Sequence, residues 1–270
     1  MPGIPDSIVR EVPELSADNP GTSPIGPFTA AGPGILYFEV PGVARYLVRN
    51  GKTIEFAVES GADRAAAELF LRTSAQAALI YQRRELPLNA TTLIAPNLQT
   101  VALSGPSATG KSTLAAALCL RGWLLVADDI TRIVWNGTAA VAWPGHGTLR
   151  LWRDACEMLG FDPGKLTRVR DGLEKFHVPV RSAATPSALG VMIRLRVSLD
   201  SDVLELPAER NVQLVSESSF RPRWIDPLGC RVQHSRVAGQ IGRCCRGIVL
   251  GGARERPVQE LVDEIAGLMR

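Results

Sequence analysis

The chain has 270 residues, 46% of them hydrophobic, and carries 30 lysines and arginines against 27 acids. That length and apolar content supply an ample buried core, in one large domain or a core domain with a modest appendage. The near balance of charge argues against nucleic acid or an anionic membrane surface as the main partner.

Residues 1–34 include Pro2, Pro5, Pro13, Pro20, Pro24, Pro27 and Pro33 among small and polar residues, which predicts a loosely held arm without helix or ladder pairing. From residue 35 the pattern turns to short apolar segments at 35–40, 44–48 and 53–58. Asn50-Gly51 between the last two marks a tight hairpin. Residues 68–81 then read as a helix, with Leu69, Thr73, Gln76 and Ile80 at helical spacing, so 35–85 is expected to form a small antiparallel sheet plus helix.

The segment 86–270 is expected to be the main domain. Residues 86–95 lead through Pro96-Asn97 into an apolar strand, 99–104, that runs straight into Gly105-Pro-Ser-Ala-Thr-Gly-Lys-Ser112. An Ala/Leu-rich helix follows over 114–120, then Arg121-Gly122 and a buried strand over 123–127 ending at Asp128-Asp129. A hairpin over 130–143 turns at Asn136-Gly137, so the sheet cannot be purely parallel. A helix is expected over 149–159, a mobile loop over 161–172 and a strand over 175–180. Beyond them a strand is expected over 191–199, a helix over 228–241, a strand over 247–250 and an amphipathic helix over 257–269.

Gly105 to Ser112 fit G-x-x-x-x-G-K-[ST], in which glycines let backbone N–H groups converge on phosphate oxygens and the lysine adds a mobile charge. The strand before the loop and the helix after it make a nucleotide-phosphate cradle of Gly105, Ser107, Ala108, Thr109, Gly110, Lys111, Ser112 and Thr113. Asp128 and Asp129 fall at a strand's carboxyl end, where ligands of α/β sheets collect. Two adjacent acids on an extended strand would point to opposite faces, so only one can lead the chemistry. His146, His177 and His234 have no metal-ligand spacing. The five cysteines, at 119, 156, 230, 244 and 245, form no C-x-x-C pair, which predicts reduced, mostly structural thiols. With no basic segment followed by an apolar h-region, and no run near the roughly 20 apolar residues of a membrane span, the cytoplasm is the expected compartment.

Three runs, Gly105-Pro-Ser-Ala-Thr-Gly-Lys-Ser112, Arg121-Gly-Trp-Leu-Leu-Val-Ala-Asp-Asp129 and Lys175-Phe-His-Val-Pro-Val-Arg181, resemble the catalytic domain of HPr kinase/phosphorylase. The resemblance extends in motif order from about residue 86 onward. The order of segments from residue 35 is similar to shorter stand-alone serine kinases of that class, including those that phosphorylate the C-terminal serine of lasso-peptide precursors. The resemblance implies an α/β fold with a phosphate-loop core and a mixed, partly antiparallel sheet of the phosphoenolpyruvate-carboxykinase-like architecture. It also implies ATP and Mg2+ as cofactors and a peptide or small-protein acceptor, and it leaves a homo-oligomer open. Asp128 matches the family's acid/base. Lys111 would supply charge, Ser112 and Asp129 would face the metal, Arg150 would clamp phosphate, and Lys175 would contact the acceptor or the phosphoryl group.

Departures from the family pattern shape the expectation. Asn89 stands where the family has a histidine; it can hydrogen-bond a phosphate but cannot carry a proton, which disfavours phosphorolysis. Ala108 replaces a glycine and is tolerable only if its φ is not positive. Thr148 replaces an acid expected beside the metal, and the family's arginine after the substrate loop has no match in 182–186. A dedicated serine kinase is the reading these residues favour. A small-molecule kinase or NTPase, an HPr-like protein kinase and a non-catalytic nucleotide-binding regulator stay open as alternatives.

Overall fold

The computed structural model describes Ile4, residues 6–198 and residues 200–269. The chain divides into two compact units. One takes the chain up to Pro87 together with Val169–Leu173 and Phe220–Arg236; the other takes Leu88–Arg168, Glu174–Ser219 and the chain from Val237.

The first unit contains a six-stranded sheet of β1 (Ile8–Glu11), β2 (Ser23–Gly26), β3 (Thr29–Gly32), β4 (Ile35–Val40), β5 (Ala44–Arg49) and β6 (Thr53–Val58), in the order β1-β6-β5-β4-β3-β2. Neighbours are antiparallel except β1, which runs parallel to β6. Asn50 and Gly51 both take positive φ, 55° and 61°, the geometry of a tight hairpin turn. The loosely held arm expected over 1–34 is therefore corrected: it contributes three strands. Its prolines are compatible with pairing because Pro24 lies in the edge strand β2, while Pro13, Pro27 and Pro33 fall between strands. The expected helix is longer than 68–81 and interrupted. It runs as α1 (Arg64–Phe70), a π turn at Leu71–Ala75 and α2 (Gln76–Gln82), with Thr73 Oγ1 donating to the Leu69 carbonyl at 2.7 Å. Phe38 stacks on Tyr46 at 4.6 Å between centroids, and the Tyr46 hydroxyl donates to the Ala67 carbonyl at 2.7 Å, joining sheet to helix.

The division between the units falls within β7 (Leu86–Leu88). In the second unit β8 (Ala90–Ile94) and β9 (Thr100–Ser104) form the antiparallel hairpin that delivers the chain to the glycine loop and α3 (Lys111–Leu120). β10 (Leu124–Ala127) flanks β8, and β11 (Thr131–Trp135) with β12 (Ala140–Trp143) makes the predicted second hairpin. β13 (Thr148–Trp152) is followed by α4 (Arg153–Met158), and it pairs with β15 (Lys175–Pro179), which also pairs with the two-residue β14 (Thr167–Arg168). β16 (Ser187–Leu195) runs parallel to β9 on one side and to β18 (Arg246–Leu250) on the other, with β17 (Val203–Leu206) antiparallel beyond β18. The fold is α/β with a mixed, partly antiparallel sheet. α5 (Ala208–Glu217) and α6 (Arg231–Cys244) precede β18, and α7 (Val258–Leu268) closes the chain. Buried Leu114 and Leu118 of α3, Leu261 and Ile265 of α7, and Val101 and Leu103 of β9 belong to one continuous apolar core.

Two expected elements change type. The helix foreseen over 149–159 is strand β13 first and helix only from Arg153. Leu149 and Leu151 are buried while Arg150 and Trp152 are not, an alternation of period two. The loop expected over 161–172 contains a short 3-10 turn at Pro163–Lys165 and the strand β14. β16 begins earlier than the expected 191–199 and ends at Leu195, and α6 lies three residues beyond the helix expected over 228–241.

Candidate active site

Gly105 is required at the turn out of β9. Its φ is +143°, and an added Cβ would come within 2.7 Å of the Leu195 carbonyl oxygen. Gly110 precedes α3 at φ +87°, and Leu114 N–H already closes on its carbonyl at 2.8 Å. The first N–H groups of α3, at Lys111, Ser112 and Thr113, have no intrahelical acceptor, and an anion at this end satisfies them and complements the helix dipole. Ala108 takes φ +63°, so the condition placed on it by its sequence is not met: the loop holds left-handed geometry with a Cβ present. Thr109 is buried and its hydroxyl donates to the Pro106 carbonyl at 2.9 Å, bracing the loop, while Ser107 and Ala108 are exposed. Lys111 is also buried. Its ammonium donates to the carbonyls of Gly105 and Pro106 at 2.8 and 2.9 Å, so the loop's own backbone holds the charge ready at the cradle.

Asp128 lies just past β10, and three donors converge on its carboxylate. Oδ1 accepts from Thr91 Oγ1 at 2.7 Å and Ser112 Oγ at 3.0 Å, and Oδ2 accepts from the Arg150 backbone N–H at 3.1 Å. Asp129 is not on an extended strand. It turns at φ +65°, a left-handed geometry that aspartate tolerates better than most residues, and the Ile130 N–H closes on the Asp128 carbonyl at 2.8 Å. The two acids are thereby separated: Asp129 forms an ion pair with Arg150, whereas Ser112 bonds Asp128. The hydroxyl–carboxylate hydrogen bond at the loop is Ser112–Asp128, while Asp129, expected beside the metal with Ser112, pairs with Arg150.

Arg150 and Lys175 come from the adjacent strands β13 and β15, where Arg150 registers with His177 and Trp152 with Lys175. Lys175 Nζ lies 5.5 Å from the Trp152 ring centroid, a cation–π contact. Burial pushes the Lys111, Arg150 and Lys175 side chains below their ordinary pKa values, with the Arg150 charge adding to the effect at Lys175 and the Asp128 charge opposing it at all three. Three desolvated cations face two carboxylates, and a polyphosphate would offset that excess of positive charge.

Among the described residues no cluster of three or more His, Cys, Asp or Glu side chains could hold a metal by itself. Oxygen donors from one hydroxyl and one carboxylate fit Mg2+, which is commonly bound through few protein ligands and the substrate's phosphates. Asn89 is anchored by its N–H to the Ser218 carbonyl at 2.7 Å and precedes Ala90, which registers with Ser104 at the loop's entry. Its side chain makes no hydrogen bond to the loop or the aspartates among the described residues. Thr148 opens β13 opposite Pro179. Thr91 is a site residue that the sequence reading does not name: it is one of two adjacent buried threonines in β8, and its partner is 37 positions away.

No family model and no curated protein matches the chain. Among solved structures, the Hpr(Ser) kinase/phosphatase from Coxiella burnetii matches at 16% identity and a TM-score of 0.37, over 68% of this chain and 93% of that one.

Proposed function

We propose that the protein is an ATP- and Mg2+-dependent kinase that transfers the γ-phosphoryl group to a serine hydroxyl of a peptide or small protein, with the C-terminal serine of a lasso-peptide precursor as the preferred acceptor. The observation that carries this reading is the 3.0 Å bond from Ser112 Oγ to Asp128 Oδ1, beside buried Lys111 and the half-buried Arg150 and Lys175. Ser112 and an aspartate of the Asp128-Asp129 pair would hold Mg2+, which would supply charge neutralisation for the phosphates. Asp128 Oδ1 shares its lone pairs between the Thr91 and Ser112 hydroxyls, and the Ser112 hydroxyl is the one that would be given up if that residue held the metal. That oxygen is then open to the acceptor hydroxyl, whose proton it takes as the new O–P bond forms and the bond to the ADP oxygen breaks. Thr91 and the Arg150 N–H keep the carboxylate oriented. Lys111, Lys175 and the Arg150 guanidinium would offset charge on the transferred group, with Asp129 paired to Arg150. Asn89 in place of a proton-carrying histidine favours transfer over phosphorolysis, and the order of sequence segments from residue 35 favours a peptide acceptor.

The test is mass spectrometry of a precursor peptide ending in serine, incubated with Mg2+-ATP and either the wild type or Asp128→Asn. The expected result is one added phosphate with the wild type, and at least about a hundredfold slower addition with the variant. Nucleotide binding without any phosphorylated peptide would overturn the acceptor assignment, and equal rates in both proteins would overturn the role of Asp128.

A further inference from the structure

Arg254 belongs to none of the motifs above, yet its Nε donates to the carbonyl of Ala108, in the phosphate loop, at 2.9 Å. The turn that carries it is closely fixed. Since β9, β16 and β18 are mutually parallel, their carboxyl ends open on the same edge of the sheet, and Arg254 follows the last of them. A Cβ at Gly251 would meet the Asp200 carbonyl oxygen at 2.3 Å, and Ala253 N–H donates to the Arg196 carbonyl at 3.1 Å. Arg196 is itself held by both oxygens of Asp202, at 2.7 and 3.0 Å, and Arg256 is paired with Glu264. Both neighbouring arginines therefore have carboxylate partners. Arg254 is exposed, and among the described residues its guanidinium has no carboxylate partner.

The order of strands says which part of a nucleotide this group meets. Asp128 follows β10, which is separated from β9 by β8, whereas β16 and β18 lie on the opposite side of β9. With the metal and terminal phosphates held by Ser112 and Asp128 on the β10 side, the nucleoside end of a bound nucleotide would extend toward β16 and β18. A planar guanidinium tethered through Nε to the loop suits the face of a purine or pyrimidine base.

We propose that Arg254 is a positioning residue for the nucleoside end of the bound nucleotide, stacking on the base while its Nε stays on the phosphate loop. The inference rests on the reading of the loop as a nucleotide-phosphate site, and its test separates the two. Calorimetry would compare Mg2+-ADP with Mg2+-tripolyphosphate, which has the phosphates but no nucleoside, on the wild type, Arg254→Ala and Arg254→Lys. Arg254→Ala should weaken Mg2+-ADP about tenfold and leave tripolyphosphate within about twofold; Arg254→Lys, which keeps the charge but not the plane, should not restore ADP affinity. Retained tripolyphosphate binding also establishes that each variant is folded. Equal losses for both ligands, no loss for either, or full rescue by lysine would overturn the assignment. A wild type that binds neither ligand would overturn the nucleotide site and this inference with it. Nucleotide binding with the predicted selectivity but no peptide phosphorylation would overturn the kinase reading alone.

Discussion

Ala108 carries a cost to the fold in a single residue. Its φ of +63° places a Cβ where glycine is the natural occupant. Ala108→Gly should therefore raise stability by about 1 kcal/mol, since relief of left-handed strain exceeds the extra chain entropy of glycine. Urea unfolding of the two proteins checks this, and a lower midpoint for the glycine variant would contradict it. The residues of the loop itself, Gly105 to Thr113, are legible in sequence because their geometry is local: glycine, lysine and hydroxyl act within one turn of the same helix. The partners of Asp128 are not legible in that way. Thr91 lies 37 positions and the Arg150 N–H 22 positions from it, and only strand pairing brings them to one carboxylate.

Among the elements, β13 is where local pattern and tertiary context compete. Leu149-Arg-Leu-Trp runs into a helix-compatible Arg153-Asp-Ala-Cys, so helical periodicity read from the later residues extends backward over the strand. The pairing of β13 with β15 settles the register, putting Leu149 and Leu151 into the core and leaving Arg150 at the site. Leu151→Ala should accordingly cost roughly 3 kcal/mol, through lost burial and the cavity left behind, whereas Trp152→Ala, at a side chain 48% exposed, should cost under about 1 kcal/mol. Equilibrium denaturation decides: a helical register would reverse or equalise the two costs. The hairpins at Asn50-Gly51 and Asn136-Gly137 are legible because their turn chemistry is local: Asn50 and Gly51 take positive φ, and Asn136 Oδ1 accepts from the Thr138 and Ala139 N–H groups of a four-residue connection.

At the scale of the whole molecule, the expected division at 34 and 85 follows changes in composition, while the compact units follow packing. Phe220–Arg236 joins the unit built mainly from the chain up to Pro87, more than 130 residues earlier, and no compositional signal marks that return. Within that unit Trp224 lies 6.0 Å from Phe38, centroid to centroid, a contact of a kind that only the folded chain reveals. No helix among the described residues is long and apolar enough to cross a membrane. The second unit gathers the loop, Asp128, Asp129, Arg150, Lys175 and Arg254 from five separated stretches of sequence. What unites them is charge: partly desolvated cations in excess over carboxylates, beside a helix N-terminus whose first N–H groups have no intrahelical acceptor.

On the proposed function, these groups bind a nucleotide's phosphates together with Mg2+. Isothermal titration of ATP into the wild type and Lys111→Ala, each with Mg2+ and with chelator, tests it most directly. Wild-type binding should weaken at least about tenfold when Mg2+ is removed, with a comparable or larger loss in Lys111→Ala. ATP binding indifferent to both Mg2+ and Lys111, or absent altogether, would contradict it.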